Sequence, residues 1–115
     1  MLRYNAVLKV KGRIWLEYND QIILGVGRVQ LLEQIAIDGS INSACKSLNM
    51  SYKKAWKLVD SMNTVADEPL VEKVSGGKGG GGTRVTDFGK EMIQKFRTAE
   101  ANTKQFFKSE SEQFD

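Results

Sequence analysis

Residues 76–82 read Gly-Gly-Lys-Gly-Gly-Gly-Gly and hold six of the chain's eleven glycines. A run this rich in glycine does not sit inside a helix or a strand, because each glycine gives up backbone freedom that no side-chain packing repays. It is either a flexible linker or a loop between elements anchored elsewhere. The flanks favour the loop. Leu70–Ser75 before it and Thr83–Val85 after it both read as short strands. Two strands joined by a glycine loop form a ribbon, so residues 76–82 are expected at the tip of a hairpin. A phosphate-binding Walker loop fits poorly, since Lys78 is followed by Gly79 and not by Ser or Thr, and strands flank the run.

Helical spacing precedes the ribbon. Val29, Leu32, Ile35 and Ala36, joined by Leu31, predict a first helix from about Gly27 to Asp38, stopped by Gly39. Ser40 is placed to cap a short second helix over Ile41–Ser47, with Ile41, Ala44, Cys45 and Leu48 inward. Asn49 suits the left-handed backbone needed to leave it. Ser51 then caps a third helix whose inner stripe is Ala55, Leu58, Val59 and Met62, and Pro69 forbids its continuation. Thr86 and Asp87 are cap candidates for a last helix with an apolar stripe of Met92, Ile93, Phe96, Ala99, Thr103, Phe106 and Phe107, reaching about residue 107. Ser109–Asp115 is expected to fray. At the N-terminus, alternation over residues 4–10 and 14–18 predicts a hairpin turning at Lys11-Gly12, with Gln21–Leu24 either a further short extended piece or a turn into the first helix.

The expected fold is therefore α+β and mainly helical: a winged helix-turn-helix with an N-terminal β-hairpin and a long C-terminal helix. Its parts are residues 1–24, 25–85 and 86–115 within one structural domain, which 115 residues suit. Function classes narrow with it. There is no histidine and a single cysteine, Cys45, so intrachain disulfides, most zinc sites and the usual nucleophile–base pairs are excluded. No enzyme constellation stands out, and no cofactor is expected. No apolar run is long enough for a bilayer and no signal peptide is visible, so a cytoplasmic location is expected and no membrane partner.

A helix-turn-helix presents its second helix to a major groove, and only the first turns of that helix need reach the bases. Here those turns supply Ser51, Tyr52, Lys53, Lys54, Trp56 and Lys57. Ser51 and the adjacent backbone N–H groups suit phosphate. Lys53 and Lys54 suit guanine edges or phosphate, and Lys57 the backbone. Lys78 in the loop and Arg84 at its foot add cations, while the glycines allow close approach to a groove. Net charge is only +3, yet residues 46–84 carry seven Lys/Arg against four Asp/Glu, and residues 98–115 two against four. Positive charge gathers where the motifs lie.

The run GSINSACKSLNMSYKKAWKLVDSMN, followed by LVEKVSGGKGGGGTRVTDFGKEMI, closely resembles the N-terminal DNA-binding domain of ModE-type molybdenum-dependent transcriptional regulators. More distantly it looks like the N-terminal domain of LysR-type regulators. The resemblance spans roughly residues 12–97, and GGKGGGG after a helix-turn-helix is its specific signal. It implies a homodimer on palindromic duplex operator DNA, with the third helix reading the major groove and the last helix contributing to dimerisation. Met92, Ile93, Phe96, Phe106 and Phe107 are the expected dimerisation residues. Ser51, Tyr52, Lys53 and Lys54 would form the reading surface, with Lys78 in the wing. Full-length members continue into molybdate-binding domains that these 115 residues do not include, so molybdate sensing is not expected of this sequence.

Other readings stay open. Lysines on a helix are commonly a solvated face, and Trp56 fits packing as well as DNA contact. Cys45 reads as a small buried hydrophobe. A winged helix used only to bind another protein is the alternative, and it needs no cations around the third helix.

Overall fold

The computed structural model describes residues 7–75 and 82–115. In chain order the elements are β1 (Leu16–Tyr18), β2 (Gln21–Leu24), α1 (Val26–Asp38), α2 (Ile41–Ser47), α3 (Tyr52–Val65), β3 (Val71–Val74), β4 (Gly82–Val85) and α4 (Asp87–Glu112). The strands form two separate antiparallel pairs, β1–β2 and β3–β4. This mixture of helix and strand is consistent with a winged helix.

The predicted stop and start signals act locally. Gly39 takes the left-handed conformation at φ 78° and ends α1 through its N–H to the Ile35 carbonyl. The Ser40 hydroxyl accepts from the Ser43 N–H at the start of α2. Asn49 leaves α2 at φ 54°, and the Met50 N–H closes the turn onto the Cys45 carbonyl at 2.8 Å. Ser51 and Thr86 cap α3 and α4 by accepting from Lys54 N–H and Gly89 N–H. Caps of this kind contribute about 1 kcal/mol each.

The core is one cluster. Val29, Leu31, Leu32 and Ile35 of α1 meet Ile41, Ala44 and Cys45 of α2, Ala55, Val59 and Met62 of α3, Ile23 and Leu24 of β2, and Met92 and Phe96 of α4. Leu58, predicted on the inner stripe of α3, is half-buried beside it. Arg97 ties α4 to α1, donating to both carboxylate oxygens of Glu33 and to Glu100. These two carboxylates hold its guanidinium charged against a small burial penalty.

Two expectations require correction. The described hairpin is β1–β2, not strands 4–10 and 14–18 turning at Lys11-Gly12. Its turn is Asn19-Asp20, at φ 49° and 65°. Both central residues with positive φ match the twist of a two-residue hairpin. Residues 7–15 form no strand, and Tyr4 and Ala6 lie outside the described residues. Nor does the last helix end near residue 107. It continues to Glu112, where the Ser111 hydroxyl accepts from Val10 N–H at 2.7 Å and Phe107 lies against Gly12.

Candidate nucleic-acid interface

α3 owes its position to its apolar stripe. With Ala55, Val59 and Met62 buried, Tyr52, Lys53, Lys54 and Lys57 are left on the exposed side. Ser51 stands exposed at the cap. The first turn of α3 contains no acidic residue. Its free backbone N–H groups and partial positive charge are therefore offset by no side chain of that turn.

Trp56 is half-buried against the core cluster. Tyr52, one turn earlier, packs on it edge to face, with ring centroids 6.4 Å apart and planes at 86°. The Lys73 ammonium of β3 also stands over the Trp56 ring, 5.7 Å from its centroid. A cation over an indole face at an exposed site contributes about 0.5–1 kcal/mol. Tyr52, Trp56 and Lys73 thus form a continuous row from the start of α3 to the β3–β4 ribbon.

Asn63 fixes the other end of that contact. Its amide oxygen accepts from Leu70 N–H at 2.8 Å and Val71 N–H at 3.2 Å, and its amide nitrogen donates to the Val71 carbonyl at 2.9 Å. Asn63 lies seven residues beyond Trp56, on the same side of α3. Residues 56 and 63 of α3 thus meet residues 73 and 71 of β3 in reverse order, and the ribbon is held to the helix at two points.

The ribbon is anchored on two further sides. Thr83 N–H donates to the Gly39 carbonyl at 2.9 Å, and a Cβ at Gly82 would lie 2.5 Å from that same oxygen. Thr86 N–H donates to the Leu70 carbonyl and its hydroxyl to the Pro69 carbonyl. Strand alternation separates Val71 and Lys73 from Glu72. Glu72 lies opposite Arg84 in the ladder and receives its guanidinium, Nε to Oε1 at 2.7 Å.

The predicted residues are therefore placed unequally. Ser51, Tyr52, Lys53, Lys54 and Lys57 are all exposed at the cap and first turns of α3. Arg84 is exposed but paired with Glu72. Lys78 and the loop 76–81 lie outside the described residues. Lys73 and Asn63 carried no assigned role in the sequence reading. Spacing offers a signal for each: Lys73 shares a strand face with the apolar Val71, and Asn63 is two helical turns from Trp56. Of the expected dimerisation residues, Met92 and Phe96 are buried within this chain, Ile93 and Phe107 are half-buried, and Phe106 is 58% exposed.

Among the described residues no three of His, Cys, Asp or Glu are grouped to hold a metal ion. No helix there is long and apolar enough to cross a membrane.

No protein-family model matches the chain. It is 49% identical over 73 residues to the molybdenum transport protein ModE of Azotobacter vinelandii, an alignment covering 64% of this chain and 27% of that protein. It is 45% identical over 67 residues to the DNA-binding transcriptional dual regulator ModE of Escherichia coli K12, covering 58% and 26%. To the transcriptional regulator ModE of Haemophilus influenzae it is 40% identical over 80 residues, covering 70% and 31%. The chain spans about a quarter to a third of the length of these relatives. Over the stretch these alignments cover, the chain is a sequence relative of the ModE-type transcriptional regulators.

Proposed function

We propose that this chain is a DNA-binding module of a ModE-type transcriptional regulator. It is a winged helix-turn-helix in which α2 and α3 form the two helices and β3–β4 the wing. The observation that carries the reading is the exposed N-terminal surface of α3. It joins a Ser51 cap, a first turn without acidic residues, and Tyr52, Lys53, Lys54 and Lys57. Lys53, Lys54 and Tyr52 read base edges in the major groove, while Ser51 and Lys57 meet phosphate. Lys78 adds a wing contact, and Arg84 joins by exchanging Glu72 for phosphate.

The reading includes two copies on a palindromic operator, paired through the open side of α4 where Phe106 stands. Their α3 helices would then meet half-sites about one DNA turn apart, roughly 34–36 Å, or a multiple of it. The site of action is the cytoplasm.

Selection of bound sequences from random duplex DNA tests this. The expected result is a palindromic consensus whose affinity falls with salt. Reversing the charges of Lys53 and Lys54 should abolish it. Undetectable duplex binding at low salt would overturn the reading. Binding unchanged by the charge reversal, together with a stoichiometric protein partner, would favour a protein-interaction module instead.

A further inference from the structure

We propose that Lys73 is a phosphate-contacting residue of the wing, and that Trp56 is the positioning residue that holds its ammonium beside the reading helix. The inference rests on the DNA-binding reading above and adds to it a contact between wing strand and helix. Three observations support it.

Lys73 is exposed, and its ammonium stands 5.7 Å from the centroid of the Trp56 ring. The ammonium has three N–H donors, and with one side toward the indole the donors on its far side stay available to an anion. Among the described residues no carboxylate forms an ion pair with it. The neighbouring carboxylate of the strand, Glu72, lies on the opposite face by alternation, and Lys73 faces Thr83 across the ladder.

Second, the ammonium is held on the side of the ribbon that meets α3. The Asn63 bonds to Leu70 and Val71 fix the start of β3, and alternation then brings residue 73 back to the same side as Val71. Lys73 thereby becomes a cation beside Trp56 supplied by the ribbon, while Lys57, the next residue of α3, is exposed.

Third, the aromatic row gives the lysine a defined place. A free lysine side chain loses rotamer freedom when it meets a phosphate. Here Trp56, itself braced by Tyr52, restricts that freedom beforehand. A phosphodiester running between the first turns of α3 and the wing would meet Lys73 without a search through rotamers.

The test uses the 115-residue chain and a mixed-sequence duplex oligonucleotide, with affinity measured across a series of salt concentrations. Lys73→Gln should flatten the log K against log salt slope by about 0.9 for each phosphate it no longer neutralises. Lys73→Arg should restore the slope. Trp56→Leu keeps an apolar body but removes the π face. It should weaken binding in the same direction, and the double variant should lose no more than Lys73→Gln alone. Far-ultraviolet circular dichroism and thermal melting identify a variant that fails to fold, and Lys73→Gln, at an exposed site, provides the reading if Trp56→Leu does. Wild-type binding with an unchanged slope in Lys73→Gln overturns this proposal alone. Absence of wild-type binding at low salt overturns the DNA-binding reading and this inference with it.

Discussion

The two ends of this molecule are built by different means. At one end α2, α3 and the β3–β4 ribbon pack together, and each junction is fixed by named hydrogen bonds, made by Ser40, Ser51, Asn63, Thr83 and Thr86. At the other end α4 runs for 26 residues, roughly 39 Å at 1.5 Å per residue. Its far half meets Val10 through Ser111 and Gly12 through Phe107, and its length helps stretch the molecule to 64 × 30 × 20 Å. The cations of the proposed interface gather at the compact end. Exposed large apolar side chains occur at both ends, Tyr52 and Val74 at the compact one and Phe106 on the long helix. The compact end fixes surface geometry within one chain. The long end leaves Phe106 largely uncovered by its own chain.

The largest expected effect separates two phenylalanines of the same helix. Phe96 is 1% exposed and Phe106 58%. Phe96→Ala should destabilise by about 3–5 kcal/mol, through lost transfer free energy and a cavity. Phe106→Ala should change the stability of the single chain by about 0.5 kcal/mol or less. Denaturant melts at low protein concentration measure both. Under the proposed pairing, Phe106→Ala should also shift the self-association equilibrium in analytical ultracentrifugation. Equal losses of stability from both substitutions would break the distinction between the two ends.

Two glycines repeat the comparison. A Cβ at Gly89 would lie 2.4 Å from the Leu70 carbonyl oxygen and 2.7 Å from Val85 Cγ1. The first of these atoms is backbone at the foot of the ribbon and cannot swing aside. A Cβ at Gly12 would lie 2.6 Å from Phe107 Cζ, the far end of a side chain that can rotate. Gly89→Ala should cost about 3 kcal/mol, at the upper end for overpacking, and Gly12→Ala about 1. Chemical denaturation of both variants checks the order, and the reverse order would mean that α4 is seated by its far half.

Asn63→Leu comes next. It removes the acceptor for Leu70 and Val71 N–H and the donor to the Val71 carbonyl while keeping the bulk of the side chain. Leaving part-buried backbone groups unpaired should cost about 2 kcal/mol. Amide exchange at Leu70 and Val71 should quicken more than in α1. Uniform quickening would show that Asn63 serves the whole fold and not the ribbon alone.

Much of the compact end was legible because its signals are local. Ser40, Ser51 and Thr86 cap the helices they precede, Gly39 and Asn49 take positive φ, and α2 has its predicted bounds. The long end was not legible in the same way. Periodicity shows that Met92 and Phe96 are apolar on one face, but not whether their own chain or another covers it. The first hairpin was misplaced because Gly12 reads as a turn. Its missing side chain instead admits Phe107, while the turn uses Asn19-Asp20, a pair without glycine. Asn63 and Lys73 depend on a contact between a helix and a strand about ten residues apart, which neither segment shows by itself.

The smallest expected effect lies where the first hairpin joins the compact end. The Tyr18 hydroxyl donates to Asp67 Oδ2 at 3.0 Å, and its ring meets Phe88 edge to face. The hydrogen bond to Asp67, then slight desolvation and the negative charge of that carboxylate, hold the phenol above its ordinary 10.0. A raised value in the folded chain means that folding favours the neutral phenol. Its contribution is complete below the ordinary value and is lost as pH rises through the folded one. Melting temperature should therefore fall past about pH 10 slightly more steeply in the wild type than in Tyr18→Phe. Difference absorbance at the phenolate band should place the missing titration on the high side of the ordinary value. Parallel melting profiles would mean that this bond yields to solvent, leaving the hairpin held by Ile23 and Leu24 in the core.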